Sequence, residues 1–171
     1  FLLMPISMEL LHSLDWFFPP PPEGVAKLMQ SMGSQEVAWW LPLLAFAVAP
    51  AVCEELAFRG FILSGLQRAR HPWVPIILSS IAFGVVHMIP QQVFNAMLLG
   101  VVIALLAIVS RSLIPGIVFH LFFNGTQVLL SRVDAAQLQE LSQRTGDWLF
   151  RITPATTGET ASLRFEWPLL L

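Results

Sequence analysis

Charge is what this sequence has least of. Only 12% of its 171 residues are Asp, Glu, Lys or Arg, against roughly 25% in an average soluble domain, while 56% are hydrophobic. An ordinary soluble domain is excluded on that ground. A basic excess is also missing: 9 Lys and Arg against 11 Asp and Glu leave a net charge of -2. There is therefore no electrostatic footprint for nucleic acid, and that partner class is dropped. Cysteine is nearly absent too. The single Cys53 rules out an intrachain disulfide and a multi-cysteine metal site, and reads as a small apolar helix residue. No basic n-region of a signal peptide is found, and the chain opens on Phe1 rather than Met, as expected of a fragment or the tail of a longer membrane protein.

What is present are long uncharged runs. Residues 37–53, 71–110 and 112–131 contain no Asp, Glu, Lys or Arg. Since about 20 apolar residues in a helix cross a bilayer core of about 30 Å, the expected fold is all-α, a polytopic transmembrane helical bundle. Four firm spans are expected: residues 37–66, 73–89, 93–109 and 113–130. The first would be about 45 Å long at 1.5 Å per residue, and so must tilt, kink or protrude, with Pro42 and Pro50 as the kinks. Short connectors make neighbouring helices antiparallel. Arg68, Arg70 and Arg111 then fall on one face and Glu23, Lys27, Glu36, Arg132 and Asp134 on the other, and the positive-inside rule makes the Arg68/Arg111 face cytoplasmic, at a bacterial plasma membrane.

Three parts follow from this pattern. Residues 1–36 form an upstream membrane or interfacial segment ending in the stiff run Pro19 to Pro22 and a polar linker. Residues 37–131 form the membrane domain. Residues 132–171 begin with a short amphipathic helix on Val133, Ala136, Leu138 and Leu141 and end in an ordinary polar tail.

The informative residues are the polar ones inside the spans. Glu54, Glu55 and Arg59 lie together in the first span, where insertion of an Asp, Lys or Arg costs about 2.5 to 3.5 kcal/mol each. Glu55 and Arg59 have the i, i+4 spacing of a same-helix ion pair, acid first. Glu54, turned about 100° away on the helix, is left as a free carboxyl facing the bundle, suited to general acid or base chemistry. The second span carries His87 and the fourth His120 and Asn124, again i, i+4. Measured from the Arg68/Arg111 face, Glu54 lies about 20 Å deep, His87 about 21 Å, His120 about 12 Å and Asn124 about 18 Å. Three spans thus bring polar side chains to nearly one layer.

A carboxylate beside an imidazole can deprotonate water for attack on a carbonyl, and a second imidazole with an amide N–H can stabilise the oxyanion. Alternatively Glu54, His87 and His120 could bind Zn²⁺, leaving a position for water. Both versions describe peptide-bond hydrolysis within a membrane. Other signatures of peptide hydrolysis are missing: no His-Glu-x-x-His, no Gly-x-Ser-x-Gly, and no aspartate in any expected span.

The set Glu54-Glu55-x-x-x-Arg59, Phe83-x-x-x-His87 and His120-x-x-x-Asn124, with Ser112-Leu113-Ile114-Pro115-Gly116 leading into the last helix, resembles the CPBP family. These are the CAAX-protease and bacteriocin-processing intramembrane proteases, also called the ABI family. The resemblance covers residues 37–131. It implies Glu54 as the water-activating carboxylate with His87 beside it, His120 and Asn124 as the oxyanion hole, and Glu55 with Arg59 as a structural pair. It implies a membrane-embedded or prenylated peptide as substrate, and either a metal-dependent or a metal-free glutamate mechanism; asparagine is a poor zinc ligand, which favours the latter. Residues 1–36 do not supply the further spans that family members commonly carry, which is consistent with a fragment or with fusion behind a transporter permease. Two readings from other classes compete: a non-proteolytic immunity or scaffold protein, and a proton or ion carrier using Glu54 and His87.

Overall fold

Runs that cannot be solvated and are too long for strands satisfy their backbone groups most directly as helices. The computed structural model describes residues 36–133 continuously, together with Phe150–Thr153, Ser162–Phe165 and isolated positions elsewhere. Within 36–133 four helices follow one another: α1 Trp40–Leu66, α2 Trp73–Val85, α3 Pro90–Ser110 and α4 Ile114–Leu130. Prolines sit in the first turns of α3 and α4, where the missing N–H costs nothing.

The expected helices are all present, but only two reach membrane length. Trp40–Leu66 and Gln92–Ser110 qualify, and in each only 28% of the apolar window is buried. A core helix of a soluble protein would be mostly buried. Here Leu44, Val48, Val52 and Leu56 of α1 and Phe94 and Leu98 of α3 face outward, as lipid-facing side chains do. The other two helices are apolar but shorter. Most of the shortfall is in α2, which stops at Val85 instead of residue 89. The chain must reverse before Pro90, so Ile89 is extended (φ -96°, ψ 119°), as the residue preceding a proline requires, and Met88 takes a positive φ of 59°. His87 therefore lies in the turn after α2 rather than within a span.

Glycines let the helices approach. A Cβ at Gly84 would lie 2.7 Å from the Val93 carbonyl oxygen and collide with Met97, and one at Gly100 would lie 3.1 Å from Ser80 Cα. α2 and α3 thus meet nearly backbone to backbone. Around this seam sit three small clusters: Phe58, Phe83 and Ala96; Leu63, Ile76 and Ala104; Leu99, Ile103 and Phe123.

The first helix is not uniformly α. Between Pro42 and Pro50 it widens into a π-helical stretch, Leu44–Val48, and it does so again at Leu56–Leu63, on either side of the α-helical segment Ala49–Glu55. π turns inside α-helices concentrate at functional sites, and these two flank both glutamates.

Outside the bundle, β1 (Phe150–Thr153) and β2 (Ser162–Phe165) form an antiparallel hairpin, pairing Phe150 with Phe165 and Ile152 with Leu163. This corrects the expectation of an ordinary polar tail. Phe-Arg-Ile-Thr and Ser-Leu-Arg-Phe each alternate apolar and polar residues, the period of a strand. The amphipathic helix expected on Val133, Ala136, Leu138 and Leu141 lies mostly outside the described residues, as do most of residues 1–35, Pro20 and Pro21 among them.

Candidate active site

The i, i+4 spacing in α1 does what it should. Arg59 Nη1 donates to Glu55 Oε1 at 2.9 Å, and both side chains are 1% exposed. Burying such a pair is costly unless further hydrogen bonds support it, and two do, although Glu55 Oε2 and Arg59 Nε are buried with no hydrogen-bond partner. Arg59 Nη2 donates to the Gly100 carbonyl of α3 at 3.0 Å, and Glu55 Oε1 lies 3.0 Å from His120 Nδ1 of α4. Glu55 is thus more than one half of an intrahelical pair. It joins α1 to α4 across 65 residues of sequence. Gly116 makes the approach possible, since a Cβ there would sit 3.4 Å from Glu55 Oε2 and 2.9 Å from Ile103.

Asn124 is positioned by a proline. Pro50 stands where the π-helical stretch Leu44–Val48 gives way to α-helix, and it has no N–H to offer the turn before it. The Phe46 carbonyl accepts Asn124 Nδ2 instead, at 3.2 Å. The same Nδ2 lies 3.1 Å from His120 Nε2. A carbonyl can only accept, so the amide presents its NH₂ to Phe46 and to the imidazole, and His120 Nε2 accepts. The proton then sits on Nδ1, donated to Glu55. The tautomer follows from a hydrogen-bond chain running from the Phe46 carbonyl through Asn124 and His120 to Glu55 and Arg59.

Glu54 stands outside this chain but beside it. Its Oε2 lies 3.8 Å from His120 Nε2, too far for a hydrogen bond, and its side chain is 30% exposed where that of His120 is 2% exposed. Glu54 Oε2 is buried and has no hydrogen-bond partner. His87, half-buried, places Nδ1 2.9 Å from the Phe83 carbonyl, which makes Nδ1 the donor and leaves Nε2 with its lone pair.

Phe83 ties these groups together. It is fully buried, with the rings of Phe58, His87 and His120 edge-on to it at 5.2, 5.2 and 5.7 Å between centroids. The Arg59 guanidinium lies over its face, 4.4 Å from the centroid, a cation–π contact in a dry site.

The structure therefore gathers Glu54, Glu55, Arg59, His120 and Asn124 by direct contact or near approach, and connects His87 to them through the Phe83 ring. The Zn²⁺ set of Glu54, His87 and His120 is a poorer fit. Both nitrogens of His120 are engaged, by Glu55 and by Asn124. Among the described residues no group of three or more His, Cys, Asp or Glu side chains is placed to hold a metal ion.

Residues 36–126 match the family described as type II CAAX prenyl endopeptidase, Rce1-like. The chain belongs to this family. Rce1-like proteins are integral membrane proteins and peptidases, so the chain is a membrane hydrolase, with α1 and α3 as its two helices of membrane-crossing length. The match is to the peptidase family and lends no support to a transporter-permease fusion. No curated protein and no solved structure matches the chain.

Beside the residues expected to carry chemistry, the structure gives roles to others that the sequence had marked only as kinks or motif neighbours, or not at all. Pro50 and Phe46 orient Asn124, Gly100 holds Arg59, Gly116 admits Glu55, and Phe83 packs all the rings. Two of these carried a signal. Pro50 is a proline inside an otherwise unbroken apolar run, which leaves the turn before it short of an N–H, and Phe83 lies one helical turn before His87.

Proposed function

We propose that this chain hydrolyses a peptide bond in a membrane-embedded or lipidated, CAAX-type substrate, with Glu54 as the carboxylate that activates water. The observation that carries the reading is the partnerless Glu54 Oε2, 3.8 Å from the Nε2 of an imidazole whose Nδ1 is held by a buried carboxylate. A carboxylate behind Nδ1 fixes the tautomer and stabilises the imidazolium that forms when Nε2 takes a proton.

The proton balance follows. Glu54 takes one proton from water as the water oxygen bonds to the scissile carbonyl carbon. That proton passes to His120 Nε2, which becomes a donor and releases the Asn124 NH₂ it had been accepting. His120 and Asn124 then both face the oxyanion of the tetrahedral intermediate with hydrogens, the arrangement that stabilises it. When the intermediate collapses, the C–N bond breaks and His120 returns the proton to the leaving amine. His87, with Nε2 unengaged, is the second contact for the water. Glu55 and Arg59 touch no reacting atom and serve as positioning residues.

Zn²⁺ on Glu54, His87 and His120 is the competing form. It would have to displace Asn124 from Nε2 or Glu55 from Nδ1, so we favour the metal-free form and route no step through the ion. We further propose that residues 37–131 form the catalytic unit, that α2 and α4 lie within the membrane with α1 and α3, and that the Arg68/Arg111 end is cytoplasmic.

The test is cleavage of a farnesylated CAAX-type peptide by the chain reconstituted in liposomes. Cleavage that survives exhaustive chelation is expected. No cleavage of any prenylated peptide would overturn the peptidase reading, and activity lost to chelator and restored by zinc would overturn the metal-free one.

A further inference from the structure

A cavity of about 710 Å³ opens at the other end of the bundle, where the α1–α2 and α3–α4 connections meet. Its wall is divided by chemistry. Leu63 and Ile108 line an apolar part, and Gln67, Arg111 and Ser112 supply donors, while the Ser64 hydroxyl on the same wall already donates to the Gly60 carbonyl of its own helix. Arg59 also contributes to the wall, but its guanidinium is committed to Glu55 and Gly100. Among the described residues no acidic side chain lines the cavity.

Among the described residues Arg111 carries the one lining charge without a counter-charge. It is exposed and held at a positive φ of 53° by a tied turn in which Ser110 Oγ accepts the Ser112 N–H and Ser112 Oγ accepts the Ile114 N–H. Arg68 and Arg70 stand on the neighbouring connection, also at the aqueous end of the spans. Among the described residues none of these three arginine side chains makes an ion pair or hydrogen bond. Trp73, 51% exposed, begins α2 at the same end, and tryptophan with arginine marks the lipid–water interface. A cavity at that depth, apolar inside and cationic at its rim, matches an anionic amphiphile.

From this we infer a binding site for an anionic phospholipid, its phosphate on Arg111, Gln67 and Ser112 and the start of an acyl chain against Leu63 and Ile108. The site is separate from the Glu54/His120 centre and does not depend on the chemistry assigned there. Its recognition element is the negative charge together with the chain: a zwitterionic headgroup brings its own cation to Arg111, and a free phosphate leaves the apolar wall uncovered.

The test is the thermal unfolding midpoint and native mass spectrum of the detergent-purified full chain, titrated with phosphatidylglycerol, phosphatidylcholine or inorganic phosphate. Phosphatidylglycerol is expected to bind and to raise the midpoint, the other two much less. Arg111→Gly keeps the left-handed backbone that glycine accepts freely and removes the charge, and is expected to weaken phosphatidylglycerol by roughly 10- to 100-fold, the worth of one charged hydrogen bond. Gln67→Glu, at an exposed rim position, should weaken it similarly by repulsion, while Arg70→Ala, outside the cavity, should keep tighter binding than either. Equal binding of the two lipids, equal stabilisation by inorganic phosphate, or undiminished phosphatidylglycerol binding in folded Arg111→Gly and Gln67→Glu would each overturn the inference.

Discussion

Replacing Pro50 with alanine separates stability from catalysis. Proline in a helix interior is disfavoured by about 3 kcal/mol relative to alanine, less in a membrane helix whose neighbours satisfy the freed carbonyl. Here the neighbour is Asn124, whose Nδ2 donates to Phe46 O at 3.2 Å. Pro50→Ala restores an N–H beneath that carbonyl and puts it in competition with the asparagine. The helix gains an intrahelical bond, and Asn124 loses an anchor of about 1 kcal/mol. The variant should therefore be as stable as the parent or more so, with an unfolding midpoint in detergent that holds or rises. Turnover should fall, because a misplacement of about 1 Å in a catalytic group costs on the order of 100-fold. If the loss acts through Asn124, it should shrink in an Asn124→Ala background, as coupled residues do in a double-mutant cycle. Full activity in Pro50→Ala, or losses that simply add, would refute the hydrogen-bond chain as the reason Asn124 stands where it does.

Two further outcomes follow from the packing. Glu55→Gln leaves the buried Arg59 guanidinium without its counter-charge and should destabilise the chain by about 3 to 5 kcal/mol, whereas replacing Glu55 and Arg59 together with methionine should recover most of that stability without recovering turnover, since His120 still lacks its Nδ1 partner; denaturation in detergent alongside the cleavage assay reads both. Gly84→Ala drives a Cβ into the Val93 carbonyl and Met97 and should cost about 1 to 3 kcal/mol, while Gly65→Ala, with nothing within 4 Å of its Cβ position, should be neutral or stabilising; paired unfolding midpoints decide this.

The parts of the molecule legible in the sequence are those governed by local spacing. Uncharged runs located the four helices, because burial of backbone in an apolar medium leaves little else for such runs to do. The i, i+4 rule located Glu55 with Arg59 and His120 with Asn124. Contacts between distant residues were not legible. Nothing in the spacing says that Glu55 reaches His120, that Arg59 reaches the Gly100 carbonyl, or that Phe83 lies beneath four other side chains, since these depend on how closely glycines let the helices approach. The end of the second helix was not legible either: it gives way to a turn at Val86, and a rise of 1.5 Å per residue does not apply beyond it, where His87 lies. The hairpin in the tail was legible in its alternation, which the apolar bias of the rest of the chain obscured.

The central claim is that Glu54, rather than the better-buried Glu55, takes the proton from water. Single-turnover cleavage of a farnesylated CAAX-type peptide in proteoliposomes, comparing the parent chain with Glu54→Gln at matched folded protein, tests it most directly. Glu54 makes no hydrogen bond that the fold needs, so the variant should fold with an unfolding midpoint close to the parent's while cleavage drops by at least about 100-fold, the lower end for loss of a general base. A folded Glu54→Gln chain that cleaves at the parent's rate would contradict the account.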